Sequence, residues 1–270
     1  MAAPGANIEA VYPLTPVQEG ILFHTLYAPE SPLYFQQYTA VIDGGLDEAS
    51  FQAAWQRVID RHPALRSLLT WEGRERPLQV VRSVVEPEWR IEDWRGMAPD
   101  IHEQRLAEVL EADRSRGFVL DEAPLMRFAL FRTGDAAHRL VWSHHHVVID
   151  GWSMGIVLDE VFAAYEALVR GAEPELPPAA PYREYIRWLH VHDDAGAEAH
   201  WRRVLAGFTT VTGLGVARPI DSPWAERHAE EIVRLPAATT ERLGRTARRN
   251  GLTLNTILRG AWALVLGRYS

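Results

Sequence analysis

A chain of 270 residues with 36 acidic and 28 basic side chains has a formal net charge of -8, which argues against nucleic acid or an anionic membrane surface as its main partner. With 47% hydrophobic and 24% charged residues it has the composition of a globular protein able to bury a core. It has no cysteine, which excludes a thiol nucleophile, a disulfide framework and Cys-ligated zinc.

Residues 1–7 lack the basic and apolar regions of a secretory leader, and no run approaches the roughly 20 apolar residues of a membrane span. A cytoplasmic protein is therefore expected. After this polar leader, residues 15–26 predict a helix, with Thr15 as N-cap, Pro16 at the first helical position and Val17, Ile21, Leu22 and Leu26 at helical spacing. Alternation predicts a strand over 35–42, and Phe51, Trp55, Val58 and Ile59 predict a helix over 47–62. Strands are expected at 65–71, 78–81 and 89–91, followed by a charged helix over 100–116. Residues 124–131 predict a strand paired with 139–143 across Gly134 and Asp135.

A helix is expected over 153–168, with Ser153 as its cap. Pro174, Pro177, Pro178 and Pro181 then mark an extended linker over 173–181. Beyond it the pattern predicts helices over 182–205, 239–250 and 253–269, with Gly251 as a stop between the last two. It also predicts an irregular loop over 217–224 and a strand over 229–235.

Ser143, His144, His145, His146, Val147, Val148, Ile149, Asp150, Gly151, Trp152 and Ser153 put three imidazoles and a carboxylate where a strand gives way to a helix. In α/β architectures sites gather at such strand ends, because the scaffold is rigid and the loop is free to carry function. Strand alternation predicts that His144 and His146 share one face and His145 the other. An imidazole of ordinary pKa near 6.5 can take a proton from an attacking amine, so acyl transfer is a natural chemistry here. A zinc site built from His144, His146 and Asp150 and purely structural histidines are the competing readings. A cap is the favoured role for Ser153, and Arg245, Arg248 and Arg249 read as a solvated helix face.

His145 to Gly151 spell HHxxxDG, which resembles the signature of the condensation domains of nonribosomal peptide synthetases. Further motifs of that family are matched in order. Tyr12 to His24 resembles the opening motif, Arg61, His62, Pro63, Ala64, Leu65, Arg66 and Ser67 the second, Tyr182 to Trp188 the fourth, and Gly251 to Trp262 the fifth. The resemblance implies an α/β fold, an α+β sandwich, in which a chloramphenicol acetyltransferase-like lobe is followed by the beginning of a second such lobe. The donor-side lobe is expected over 1–172, the linker over 173–181, and an incomplete acceptor-side lobe over 182–270. On that expectation this piece alone is inactive.

The resemblance further implies an acyltransferase that joins an upstream carrier-bound acyl or peptidyl thioester to a downstream carrier-bound aminoacyl amine. The alternatives are a noncatalytic recruiting module of the same fold, an epimerization domain, and a standalone enzyme acting on coenzyme A thioesters. No cofactor is expected to bind directly. Substrates would arrive on 4'-phosphopantetheine arms of upstream and downstream carrier protein domains, beside an adenylation domain. His146 is implied as base or positioning residue, with His145 as a supporting residue. Gly151 is expected to permit a turn that a Cβ would obstruct and to offer an N–H to the oxyanion. Asp150 is implied to pair with Arg61, or alternatively Arg66, in a structural ion pair whose disruption costs about 3–5 kcal/mol.

Overall fold

The computed structural model describes residues 7–29, 31–192, 195–210, 212–213 and 232–269, in two compact units that divide between His192 and Asp193. In the first unit, β2 (Phe35–Asp43), β7 (Ala137–His145), β6 (Met126–Gly134) and β5 (Glu88–Asp93) form a four-stranded sheet in that order. The two junctions of β7 are antiparallel, and β5 runs parallel to β6. A smaller antiparallel sheet has the order β1 (Ala10–Pro13), β4 (Leu78–Val81), β3 (Ser67–Thr70).

Side-chain alternation on the central strands builds the layers. Leu140 and Trp142 of β7, with Phe128 and Leu130 of β6, share a core with Trp55 and Val58 of α2 (Glu48–Arg61) and Val157 and Val161 of α4 (Gly151–Val169). Val141, Ala129 and Phe131 point the other way, into a second cluster with Leu106 and Val109 of α3 (Pro99–Arg116). Helices thus cover both faces of the sheet, and β7 lies between them. Trp55 is fully buried, with its ring 4.4 Å from Phe128 and 4.8 Å from Trp142. Aromatic packing of this kind dominates the core, because each ring removes a large apolar area from water.

α1 (Pro16–Tyr27) begins as the sequence predicts: Thr15 and Gln18 form a reciprocal capping box, with Pro16 in the first turn. The stretch between residue 7 and that helix, for which no element is expected, contains β1, which pairs with β4. The strand expected from residue 65 begins at Ser67. A 3-10 turn, Pro63–Arg66, precedes it, held by the buried Arg66, whose guanidinium donates to the carbonyls of Ile59, Arg82 and Ser83.

Residues 173–181 carry no helix or strand, as expected, but the compact units divide further along. α5 (Tyr182–Val191) packs on β1 and buries Ile186, so it belongs to the first unit. The helix expected over 182–205 is therefore two, α5 and α6 (Ala195–Val204). In the second unit α7 (Ala237–Arg249) and α8 (Leu254–Tyr269) are joined at Gly251, whose φ of +64° suits a glycine helix stop. The loop expected at 217–224 lies outside the described residues, as does 229–231, and 232–235 shows no strand. Among the described residues no helix is long and apolar enough to cross a membrane.

Candidate active site

Strand β7 ends at His145, one residue before the imidazole of interest. His144 and His145 are both 5% exposed. His144 lies on the core face, its ring 4.7 Å from Trp142. His145 accepts the Val147 N–H at Nδ1, across 3.2 Å, and gives its own backbone N–H to the Leu125 carbonyl. Burial pushes both imidazoles down to about 4, helped by the charges of neighbouring histidines, so both are neutral near pH 7.

His146 follows the last residue of β7 and begins a turn. Its backbone N–H donates to the Tyr34 carbonyl at 2.9 Å, and its Nδ1 lies 2.9 Å from the Ile149 carbonyl. A carbonyl oxygen only accepts, so Nδ1 carries the proton, and in the neutral form of the ring the lone pair is on Nε2.

His146 lines a cavity of about 460 Å³ on the first unit. Thr15, the N-cap of α1, and Gln18 in its first turn, His62 and Leu65 at the 3-10 turn, and Tyr182 and Tyr185 of α5 line it too. Four of the motifs recognised in the sequence thus converge on one cavity, while the fifth lies in the second unit. Burial pushes the Tyr182 hydroxyl up to about 12, with Tyr185 adding to the effect and Thr15 opposing it, so Tyr182 is neutral near pH 7.

Asp150 and Ser153 also line the cavity, in roles that differ from expectation. Asp150 is the N-cap of α4: its Oδ1 accepts the Ser153 N–H at 2.8 Å. Hydrogen bonds from the Ser153 side chain and backbone hold its carboxyl below the usual range. Ser153 therefore sits in the first turn and is not the cap.

The expected ion pair of Asp150 with Arg61 or Arg66 is not formed. Arg61 Nε donates to Glu160 Oε2 at 3.1 Å, and Arg66 pairs with Glu9 at 2.7 Å. The physical reason is packing: α2 and α4 are in contact and bring Glu160 to the C-terminal end of α2. The same Glu160 oxygen lies 2.6 Å from His62 Nε2.

Gly151 occupies the first position of α4 without a left-handed φ, and a Cβ built there meets nothing within 4 Å. The turn does not require glycine on steric grounds. Its N–H, like others of the first turn, has no partner within the helix by geometry. Asp150 and Ser153 line the cavity on either side of it, whereas Gly151, His145, Arg61 and Arg66 do not. Among the described residues no group of three or more His, Asp and Glu side chains is arranged to hold a metal ion.

Sequence reasoning passed over His62, Glu160 and Gln79. His62 stood in view beside Arg61 in the second motif, while nothing local marks Glu160 or Gln79.

The first unit is an α/β sandwich with an imidazole presented at the end of its central strand, the arrangement of the chloramphenicol acetyltransferase-like folds. The first condensation domain of the calcium-dependent antibiotic synthetase, solved with a substrate analogue, superposes with a TM-score of 0.78 over 98% of this chain and 62% of that one, at 22% identity. The cyclization-docking bidomain of EpoB from Sorangium cellulosum gives 0.76 over 100% and 54%, at 23% identity. A linear gramicidin synthase polypeptide of Brevibacillus parabrevis is 43% identical over 264 residues, and bacitracin synthase 3 of Bacillus licheniformis 34% over 266. Each alignment covers 98% of this chain, which spans only 5% and 4% of those proteins. The condensation-domain family profile matches residues 8–270, and the chain belongs to that family.

Proposed function

We propose that this domain, within a nonribosomal peptide synthetase, forms an amide bond between an acyl or peptidyl thioester on an upstream carrier and the amine of an aminoacyl thioester on a downstream carrier. The observation that carries this reading is the bond from His146 Nδ1 to the Ile149 carbonyl, in a cavity where four family motifs meet. It leaves the Nε2 lone pair to receive an amine proton.

In the proposed reaction His146 Nε2 accepts a hydrogen bond or the proton from the amine as the nitrogen attacks the thioester carbonyl. The C–N bond forms, the carbonyl oxygen becomes an oxyanion, and collapse expels the carrier thiolate, which takes up the proton. The N–H of Gly151 is the proposed oxyanion donor, at a helix N-terminus that favours negative charge. His145 and Asp150 support His146, the first by fixing Val147 and the second by starting α4.

The substrates are read as arriving on 4'-phosphopantetheine arms of the two carrier domains, with an adenylation domain adjacent and the cytoplasm as location. In this reading the first unit, α5 included, is the donor-side lobe and residues from 193 onward belong to the acceptor-side lobe.

The test is a carrier-to-carrier assay by intact-protein mass spectrometry, using the synthetase that contains this chain. Carrier-bound donors and acceptors should condense, while soluble coenzyme A or free thioesters should react poorly. No transfer between several matched carrier pairs would favour a recruiting module or an epimerization domain.

A further inference from the structure

The small sheet carries a buried amide that the proposed chemistry does not use. Gln79 of β4 is 1% exposed. Its Nε2 donates to Ser67 Oγ at 2.7 Å, and its Oε1 accepts from Gln18 Nε2 at 2.9 Å. Gln18 Nε2 also donates to the Val147 carbonyl at 3.1 Å, while its Oε1 accepts the Thr15 N–H at 3.0 Å. Ser67 in turn donates its hydroxyl proton to the Pro63 carbonyl at 2.9 Å.

The direction of this relay is fixed from one end. The Pro63 carbonyl can only accept, so it takes the one hydroxyl proton of Ser67, which leaves Ser67 Oγ to accept from Gln79. The oxygen of Gln79 must then face Gln18, and Gln18 must present its NH₂, whose second proton reaches Val147. Reversing the Gln79 amide would set donor against donor at Gln18 and acceptor against acceptor at Ser67. In a buried site an unmade hydrogen bond costs the full desolvation of the group, so one orientation prevails.

Val147 follows His146 directly, inside the turn that the Ile149 carbonyl closes onto His146 Nδ1. We propose that Gln79 is a positioning residue for His146: through Gln18 it fixes the Val147 carbonyl, and with it the turn that selects the Nδ1–H tautomer. Gln79 itself touches no substrate. The proposal rests on His146 as the reacting imidazole, and its test reads the ring without any substrate.

Nitrogen NMR of the whole chain, at a pH where the imidazole is neutral, reports which ring nitrogen of His146 carries the proton. Wild type should show a single Nδ1–H tautomer. Gln79→Met fills similar space without polar atoms and should lose it, giving a mixture. Gln79→Glu, held as the neutral acid by burial, keeps an acceptor toward Gln18 and a donor toward Ser67 and should retain the wild-type form. A Met variant with the wild-type tautomer would overturn the proposal, because packing alone would then suffice. Should the Met variant fail to fold, the wild-type side-chain amide protons of Gln18 and Gln79 decide: slow exchange with water supports the relay, and exchange as fast as an exposed amide overturns it. An intact relay beside an idle His146 would sink the proposed reaction and not the relay. A relay that fails while His146→Ala abolishes condensation would do the reverse.

Discussion

Ser153 donates its backbone N–H to Oδ1 of Asp150 across 2.8 Å, and that carboxylate closes the first turn of α4. Asp150→Ala should therefore cost about 1 kcal/mol, the ordinary loss of an N-cap, and Asp150→Asn only a few tenths. The Asp150 carboxyl is lowered in the folded state, so its contribution is present above the unfolded carboxylate pKa and is lost as pH falls through the lowered value. Urea unfolding of the three proteins checks this. A loss of roughly 3–5 kcal/mol in the alanine variant would point to a broken buried ion pair instead.

His144 and His145 make stability depend on mildly acidic pH. Both are pushed down to about 4 by burial, whereas an unfolded histidine titrates near 6.5. Between those values the unfolded chain binds more protons, so stability is full above about pH 6.5 and falls as pH drops toward 4. Each histidine contributes a slope of up to about 1.4 kcal/mol per pH unit. Urea midpoints between pH 7.5 and 5 should fall steeply, and His144→Phe, beside Trp142, should remove part of the slope. A flat profile contradicts the burial of neutral imidazoles.

Glu160 ties the end of α2 to α4 by accepting from Arg61 and contacting His62, with 12% of its side chain exposed. Glu160→Ala leaves the guanidinium half-buried without its carboxylate and should cost on the order of 3 kcal/mol. A double-mutant cycle with Arg61→Ala should show a coupling above about 1 kcal/mol. Additive losses would mean that the pair contributes nothing beyond each side chain's own packing.

Most helices were legible in the sequence because their cues are local: Thr15, Pro16 and Gln18 announce α1, and Phe51, Trp55, Val58 and Ile59 mark the buried face of α2. β1 was not, since its four residues carry no alternation and become a strand only by pairing with β4. The order of strands in both sheets rests on long-range pairing that no window of sequence shows. HHxxxDG marked the candidate site, yet the partner of Arg61 depends on how α2 and α4 pack, and Asp150 reads equally as cap or ion pair until the helix start is known.

The most direct measurement is the single-turnover rate of the proposed carrier-to-carrier transfer for wild type and His146→Ala, within the synthetase proposed above, with the unfolding midpoint of each. The variant's rate should be lower by roughly 10²–10⁴, the usual contribution of a positioned acid-base group, with the midpoint unchanged. Transfer at the wild-type rate by a folded His146→Ala protein would contradict a reacting role for this imidazole.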